Sequence, residues 1–333
     1  MIARSLWSTG HGFEVRPEHV RPPSRHQIVV RVQATVVNPI DAKRASGYGR
    51  RLLSLKGAGS LPRVLGNDFA GVVGAVGPDV RAFREGDRVF GVVPTGPRGA
   101  HSSHVWVDAR WARPAPKEAS FESLAVLPYS FTTAWRAIEG IGLDEANARG
   151  RRVVILGAGG GLGRLATWLL SSWGADVTAI SHASDEQMCL ALGARAFVPH
   201  DVDWPRQLAR RFEASLNFAA WDLDARLTGC LAPSALGQAT TVHPLLENFD
   251  RNGWSKGALA SLRAYRTARA DMRRRAPHAR YSWTLFAPNE AALDALVAGR
   301  PELPIGAAYD LAEAAAAFAH VAAGRPGRAV LLP

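Results

Sequence analysis

Four of the five glycines in the stretch "VVILGAGGGLGRLATWLL" (Val153–Leu170) crowd positions 159, 160, 161 and 163. An apolar run precedes them. A periodic segment follows, in which Leu162, Leu165, Ala166, Leu169, Leu170 and Trp173 recur at the spacing of one apolar helix face. The pattern reads as a buried strand, a tight turn and a helix packed back on the strand. The free N–H groups at such a helix start attract an anion, and missing side chains let a pyrophosphate approach the backbone. Read as Ala158, Gly160 and Gly163, the motif is A-x-G-x-x-G, a variant of the dinucleotide fingerprint. Ala158, Gly159, Gly160, Gly161, Leu162 and Gly163 are the expected cradle.

The next strand ends Ile180-Ser181-His182, where an NAD-specific site carries an acid for the ribose hydroxyls. Asp185 and Glu186 come later, behind Ser184. With Gln187 three residues beyond that serine, they read as a capping box and a first helical turn. A 2′-phosphate would then meet Ser181 and His182 and no carboxylate. The expected cofactor is NADPH.

Other chemistries find less support. Cys189 and Cys230 are too few for a metal lobe or a disulfide framework, and each reads as a small buried residue. His101 and His104 fall in a strand-like run, where i and i+3 point to opposite faces and share no metal. The net charge is +11, yet 36 of the 40 basic residues are arginine, scattered except for "RAYRTARADMRRR" (Arg263–Arg275). That stretch reads as one solvated helix face, so nucleic acid is not the expected partner.

Elements must hold these groups in place. With 333 residues, 47% hydrophobic and 21% charged, the chain has material for two cores. No stretch approaches the ~20 apolar residues of a membrane span, and no apolar signal region opens the sequence, so a cytoplasmic location is expected. From Gln27 to Trp111, short strands ("QIVVRVQATVV", "GVVGAVG", "DRVFGVV", "HVWVD") alternate with Gly/Pro turns, the pattern of a small antiparallel barrel or sandwich. "FESLAVLPYSFTTAWRAI" reads as helical at both ends, with Pro128 interrupting it. After Arg151, strands and helices alternate as in a parallel sheet, with a helix expected over Trp204–Phe212 and late strands at "QATTV" and "YSWTLF". Helices "NEAALDALVAG" and "LAEAAAAFAHVAAG" and a strand "RAVLLP" complete the chain. Trp168, on the polar side of the first Rossmann-type helix, points to a subunit contact and hence a homodimer.

The order of these parts resembles the medium-chain dehydrogenase/reductases. "VVNPIDAKRASGYGR", "LPRVLGNDFAGVVGAVGPDV", "LPYSFTTAW", "ILGAGGGLG" and "GRPGRAVLL" resemble the zinc-free quinone oxidoreductase branch. "LPRVLGNDFAG" and "YSWTLF" are similar to its reticulon-interacting mitochondrial group. The resemblance implies an α/β fold: a GroES-like β-barrel catalytic domain (1–125), a Rossmann doubly wound parallel-sheet domain (126–287) and a returning segment (288–333). It implies that Asp41 and Asn67 stand where zinc-dependent relatives place metal ligands, and asparagine is a poor one. Hydride would pass from NADPH directly to a quinone or an α,β-unsaturated carbonyl. Candidate catalytic residues are Asn38, Asp41, Lys43, Tyr48 and Thr133. Asn38 and Asp41 are equally a structural turn around Pro39. Asn217, Thr241, Gly327 and Arg328 match cofactor-contacting positions, although Ala219 and Ala220 replace the glycines usual there. Alternatives are a tailoring reductase or cyclase acting on a specialised metabolite, and an NADPH-holding module that binds RNA or protein without turnover.

Overall fold

The computed structural model describes residues 2–333, which divide into two compact units. In chain order the first elements are β1 (Ile2–Ser8), β2 (Phe13–His19), β3 (Gln27–Val37), α1 (Pro39–Ala45), α2 (Arg50–Ser54), β4 (Arg63–Val64) and β5 (Asp68–Val76). Then come β6 (Arg88–Val92), β7 (His104–Asp108), β8 (Ala112–Pro114), α3 (Phe121–Ala125) and α4 (Pro128–Gly140). The middle of the chain holds β9 (Arg152–Leu156), α5 (Gly161–Ser172), β10 (Asp176–Ser181), α6 (Glu186–Ala191), β11 (Ala196–Pro199) and α7 (Trp204–Gln207). It continues with β12 (Ala214–Asn217), α8 (Asp224–Thr228), β13 (Gly237–Thr240), α9 (Leu245–Arg275, broken at Gly253) and β14 (Arg280–Trp283). α10 (Glu290–Ala298), β15 (Ile305–Asp310), α11 (Ala314–Ala322) and β16 (Arg328–Leu332) end it.

The first unit comprises residues 2–132, 249–253 and 287–333. Its larger sheet runs β15-β16-β3-β5-β6-β8, with β7 also paired to β3, and a small sheet runs β2-β1-β4. β3 has three antiparallel partners because its eleven residues are long enough to pair with β5 over Ile28–Ala34, with β7 over Gln27–Arg31 and with β16 over Thr35–Val37. Ile28, Val30, Val32, Phe69, Val89 and Val105 fill one core, and Leu6, Val37, Leu65, Phe318 and Leu331 fill another. The segment around Pro128 is helical at both ends and broken between, as expected: α3 stops at Ala125 and Pro128 opens α4, since proline suits the first turn, where no N–H partner is needed.

The second unit comprises residues 133–248 and 254–286. Its six-stranded sheet has the order β11-β10-β9-β12-β13-β14, and every pairing is parallel. Chain order reverses around β9, which makes the carboxyl ends of β9 and β12 the topological switch point. α5 buries Leu165, Ala166, Leu169 and Leu170, the face expected from their spacing. The helix expected over Trp204–Phe212 stops at Gln207: Arg210 takes φ 57°, a left-handed conformation that a helix cannot continue through. No helix among the described residues is long and apolar enough to cross a membrane.

Candidate functional site

In the second unit, the glycine turn leaves β9 at the switch point. Gly157 (φ 84°) turns the chain, and the Gly157 and Ala158 amides donate to Ile180 O of the neighbouring strand at 2.9 and 3.1 Å. The glycines have different duties. A Cβ on Gly163 would fall 2.2 Å from Gly157 O, so this glycine lets α5 close on the strand. A Cβ on Gly160 would meet only Gly157 O, at 3.4 Å, so the backbone here faces open space. Gly160 is the N-cap of α5, and no side chain occupies its cap. The amides of Gly161, Leu162 and Gly163 open the helix, where N–H groups have no intrahelical acceptor. A pyrophosphate fits this surface.

The beginning of α6 corrects the sequence reading. No side chain caps α6, and Ala183–Asp185 forms a 3-10 turn instead of a Ser184–Gln187 capping box. That turn swings the Asp185 carboxylate back over the glycine loop. Ser181 Oγ donates to Asp185 Oδ2 at 2.7 Å, and Gly159 N donates to Ser181 Oγ at 3.1 Å. A Cβ on Gly159 would lie 1.9 Å from Asp185 Oδ2, so Gly159 makes room for this acid. Arg164 answers the charge: its Nη2 is 3.5 Å from Asp185 Oδ1, and its Nε donates to Gly159 O at 2.6 Å. Beside them, the exposed His182 and His200 rings stand 4.2 Å apart at the ends of β10 and β11.

Asn217 is buried and fully engaged. Its Nδ2 donates to Ala220 O and Asp224 Oδ1, both at 2.9 Å, and its Oδ1 accepts from Ala219 N. Thr241 N donates to Asn217 O at 3.2 Å, and Thr133 is buried in α4. Trp168 is partly buried. Cys189 and Cys230 are buried, and burial pushes their thiols up to about 11 and about 12, which keeps them protonated.

The first unit gathers the other candidates around a buried acid that the sequence reading did not single out. Asp68 is 1% exposed. Its Oδ1 accepts from Tyr129 N at 2.6 Å and its Oδ2 from Asn38 Nδ2 at 2.7 Å. Arg328 Nη2 donates to Asn38 Oδ1 and, at 2.9 Å, to Ser130 Oγ. A relay thus runs from Asp68 through Asn38 to Arg328. Burial pushes the Asp68 carboxyl up to about 7; the Tyr129 and Asn38 donors and Arg328 oppose that rise, while Asp41 adds to it.

Asn38 and Asp41 also close the N-terminus of α1. Asp41 Oδ2 accepts from Asn38 N at 3.0 Å, and Asp41 Oδ1 accepts from Gly66 N at 3.2 Å. Both are buried, so they position the segment. Lys43 is exposed and Tyr48 partly so, with Lys43 Nζ 5.6 Å from the Tyr48 ring centre. Asn67 is buried and donates to Val93 O at 2.7 Å, stitching β6 to β5. β7 begins at His104, so His101 lies outside that strand and contacts Val36 O through Nε2. Gly327 (φ 78°) serves a close backbone approach, since a Cβ there would fall 2.3 Å from Gly306 N.

Residues 24–117 match the alcohol dehydrogenase GroES-like domain. The chain is 29% identical over 316 residues to the mitochondrial NAD(P)H oxidoreductase RTN4IP1 of Danio rerio, covering 90% of this chain and 81% of that one. It is 30% identical over 274 residues to the mitochondrial reticulon-4-interacting protein 1 of Caenorhabditis elegans, covering 77% and 74%. Among solved structures, the quinone oxidoreductase of Coxiella burnetii superposes over the full length of both chains with a TM-score of 0.79 at 21% identity, a likeness of fold.

Proposed function

Since the chain belongs to the reticulon-4-interacting family of zinc-independent medium-chain NAD(P)H oxidoreductases, we propose that it moves a hydride from NADPH to a quinone or an α,β-unsaturated carbonyl. The observation that carries the reading is the bare backbone at Gly160 on the switch point of a parallel sheet, with helix amides open beside it. NADPH supplies the hydride. Ala158–Gly163 hold its pyrophosphate, and His182 and His200 receive the 2′-phosphate beside Ser181, whose hydroxyl is held by Asp185. Asp185 would repel that phosphate, but the Arg164 guanidinium pairs with it.

In the first unit, Asp68 and Asn38 hold Arg328 in one orientation, and Asp41 fixes the start of α1. These residues act by positioning. Lys43 and Tyr48 carry the polar groups at the accessible side of that segment and contact the acceptor, and one of them or water returns the proton to the reduced product.

The test is a turnover panel. Purified protein with NADPH and a series of quinones and enones should lose nicotinamide absorbance with at least one acceptor. Binding of NADPH without turnover on any member would overturn the reductase reading in favour of a binding module.

A further inference from the structure

Tyr48 sits between two glycines in left-handed backbone, Gly47 (φ 88°) and Gly49 (φ 78°), on the link from α1 to α2. A Cβ on Gly47 would meet nothing within 4 Å, so the chain is not packed in on that side. Upstream, Gly47 N and Tyr48 N donate to Arg44 O and Lys43 O at 2.9 and 3.2 Å, which ties the link to the end of α1. Downstream, α2 has no acid in its first turn and a glycine as its N-cap. A helix start of that kind has no local side chain to accept from its open amides.

The acceptor comes from 199 residues further along the chain. Asp250 Oδ2 accepts from Gly49 N, and Asp250 Oδ1 accepts from Arg51 N at 3.1 Å. Arg51 returns the grip: its Nη1 donates to Phe249 O at 3.0 Å and to Asp250 O at 3.1 Å. These bonds run in both directions between the same two short segments. Each has a carboxylate or a guanidinium at one end, the stronger kind of hydrogen bond. Residues 249–253 of α9 belong to the first unit and the rest of the helix, from Trp254, to the second, so the break at Gly253 falls where the chain leaves this clasp.

We propose that Asp250 is a positioning residue for the hydride acceptor: with Arg51 it clasps the loop that carries Tyr48 and fixes where that ring stands. The clasp acts through Tyr48, by keeping the loop in one of the conformations its two glycines allow. A loop that holds the competent conformation only about a tenth of the time binds its ligand about tenfold more weakly. The role in acceptor binding rests on the reading of Tyr48 as an acceptor contact; the clasp itself does not.

Steady-state kinetics with 1,4-naphthoquinone as acceptor test it. Asp250→Ala should raise the acceptor KM about tenfold and leave the Kd for NADPH within about twofold. Asp250→Asn keeps one oxygen for one amide and should fall between Asp250→Ala and the parent; it also serves where Asp250→Ala does not fold. A double-mutant cycle separates positioning from plain stabilisation. Tyr48→Ala should raise KM as well, and adding Asp250→Ala to it should change KM by less than about twofold, because the ring that the clasp positions is gone. An unchanged KM in both Asp250 variants, or an undiminished effect of Asp250→Ala in the Tyr48→Ala background, would overturn the proposal. No turnover of naphthoquinone or of any other acceptor would remove the reductase reading, and the acceptor role with it. Amide hydrogen exchange then decides the clasp on its own: Gly49 and Arg51 amides that exchange about tenfold faster in Asp250→Ala would support it, and unchanged exchange would overturn it.

Discussion

Replacing Asp68 with asparagine tests the buried relay through the pH dependence of stability. Asp68 titrates near 7 in the folded protein, against an ordinary value of 3.8. Below the lower value the acid is protonated in both states. Between the two, the folded chain keeps a proton that the unfolded chain has released, so stability falls as pH rises. Above about 7 the loss is complete, and the separation of the two values corresponds to about 4 kcal/mol.

The side chain introduced by Asp68→Asn would not titrate, but it would disturb the polarity of the relay. Its amide oxygen can accept from Tyr129 N, which turns its NH₂ towards the Asn38 NH₂. Asn38 cannot flip to accommodate it, because Arg328 donates to the Asn38 oxygen. One buried donor is therefore left without an acceptor, at a cost of about 1–3 kcal/mol. Equilibrium urea unfolding should find Asp68→Asn less stable than the parent at about pH 4 and equal or more stable at about pH 8.5. Carboxylates whose partners pull them down, such as Glu18 beside Arg98, titrate alike in both proteins and cancel. A stability difference that stays constant across this range would refute the assignment of Asp68.

Gly163→Ala should lose about 1–3 kcal/mol and weaken dinucleotide binding, since the new methyl would meet Gly157 O; an unaltered urea midpoint would contradict this. Asp185→Asn should tighten NADPH by about fivefold, by removing a carboxylate from the phosphate site; weaker NADH with unchanged NADPH would instead make Asp185 a ribose ligand. Asp250 accepts from the Gly49 and Arg51 amides at the start of α2, so Asp250→Ala should free those protons for exchange about tenfold faster, read by amide hydrogen exchange.

Local signals in the sequence identified much of the second unit. Alternating strands and helices, the glycine cluster and the apolar face of α5 are written in runs of a few residues, and the sheet assembles them in that order. Short or polar elements were less legible. β2 is half-exposed and contains Pro17, and β15 is exposed along most of its length, so neither shows the apolar run that marks a strand. The position of Asp185 depends on a 3-10 turn, whereas Ser184 and Gln187 satisfied the local rule for a cap. Asp68, Asn38 and Arg328 could not be grouped from sequence, because their contacts span 30 and 290 residues. The same holds for Arg63, which reads as an ordinary surface cation until its burial is seen.

Titration of the intact protein with each pyridine nucleotide, followed by tryptophan fluorescence, bears most directly on the glycine turn of β9 and the histidine pair beside it. Saturable uptake of NADPH, about tenfold or more tighter than NADH, is the predicted result, as one well-paired phosphate is worth at least that factor. Failure of both nucleotides to bind would contradict the account at its root.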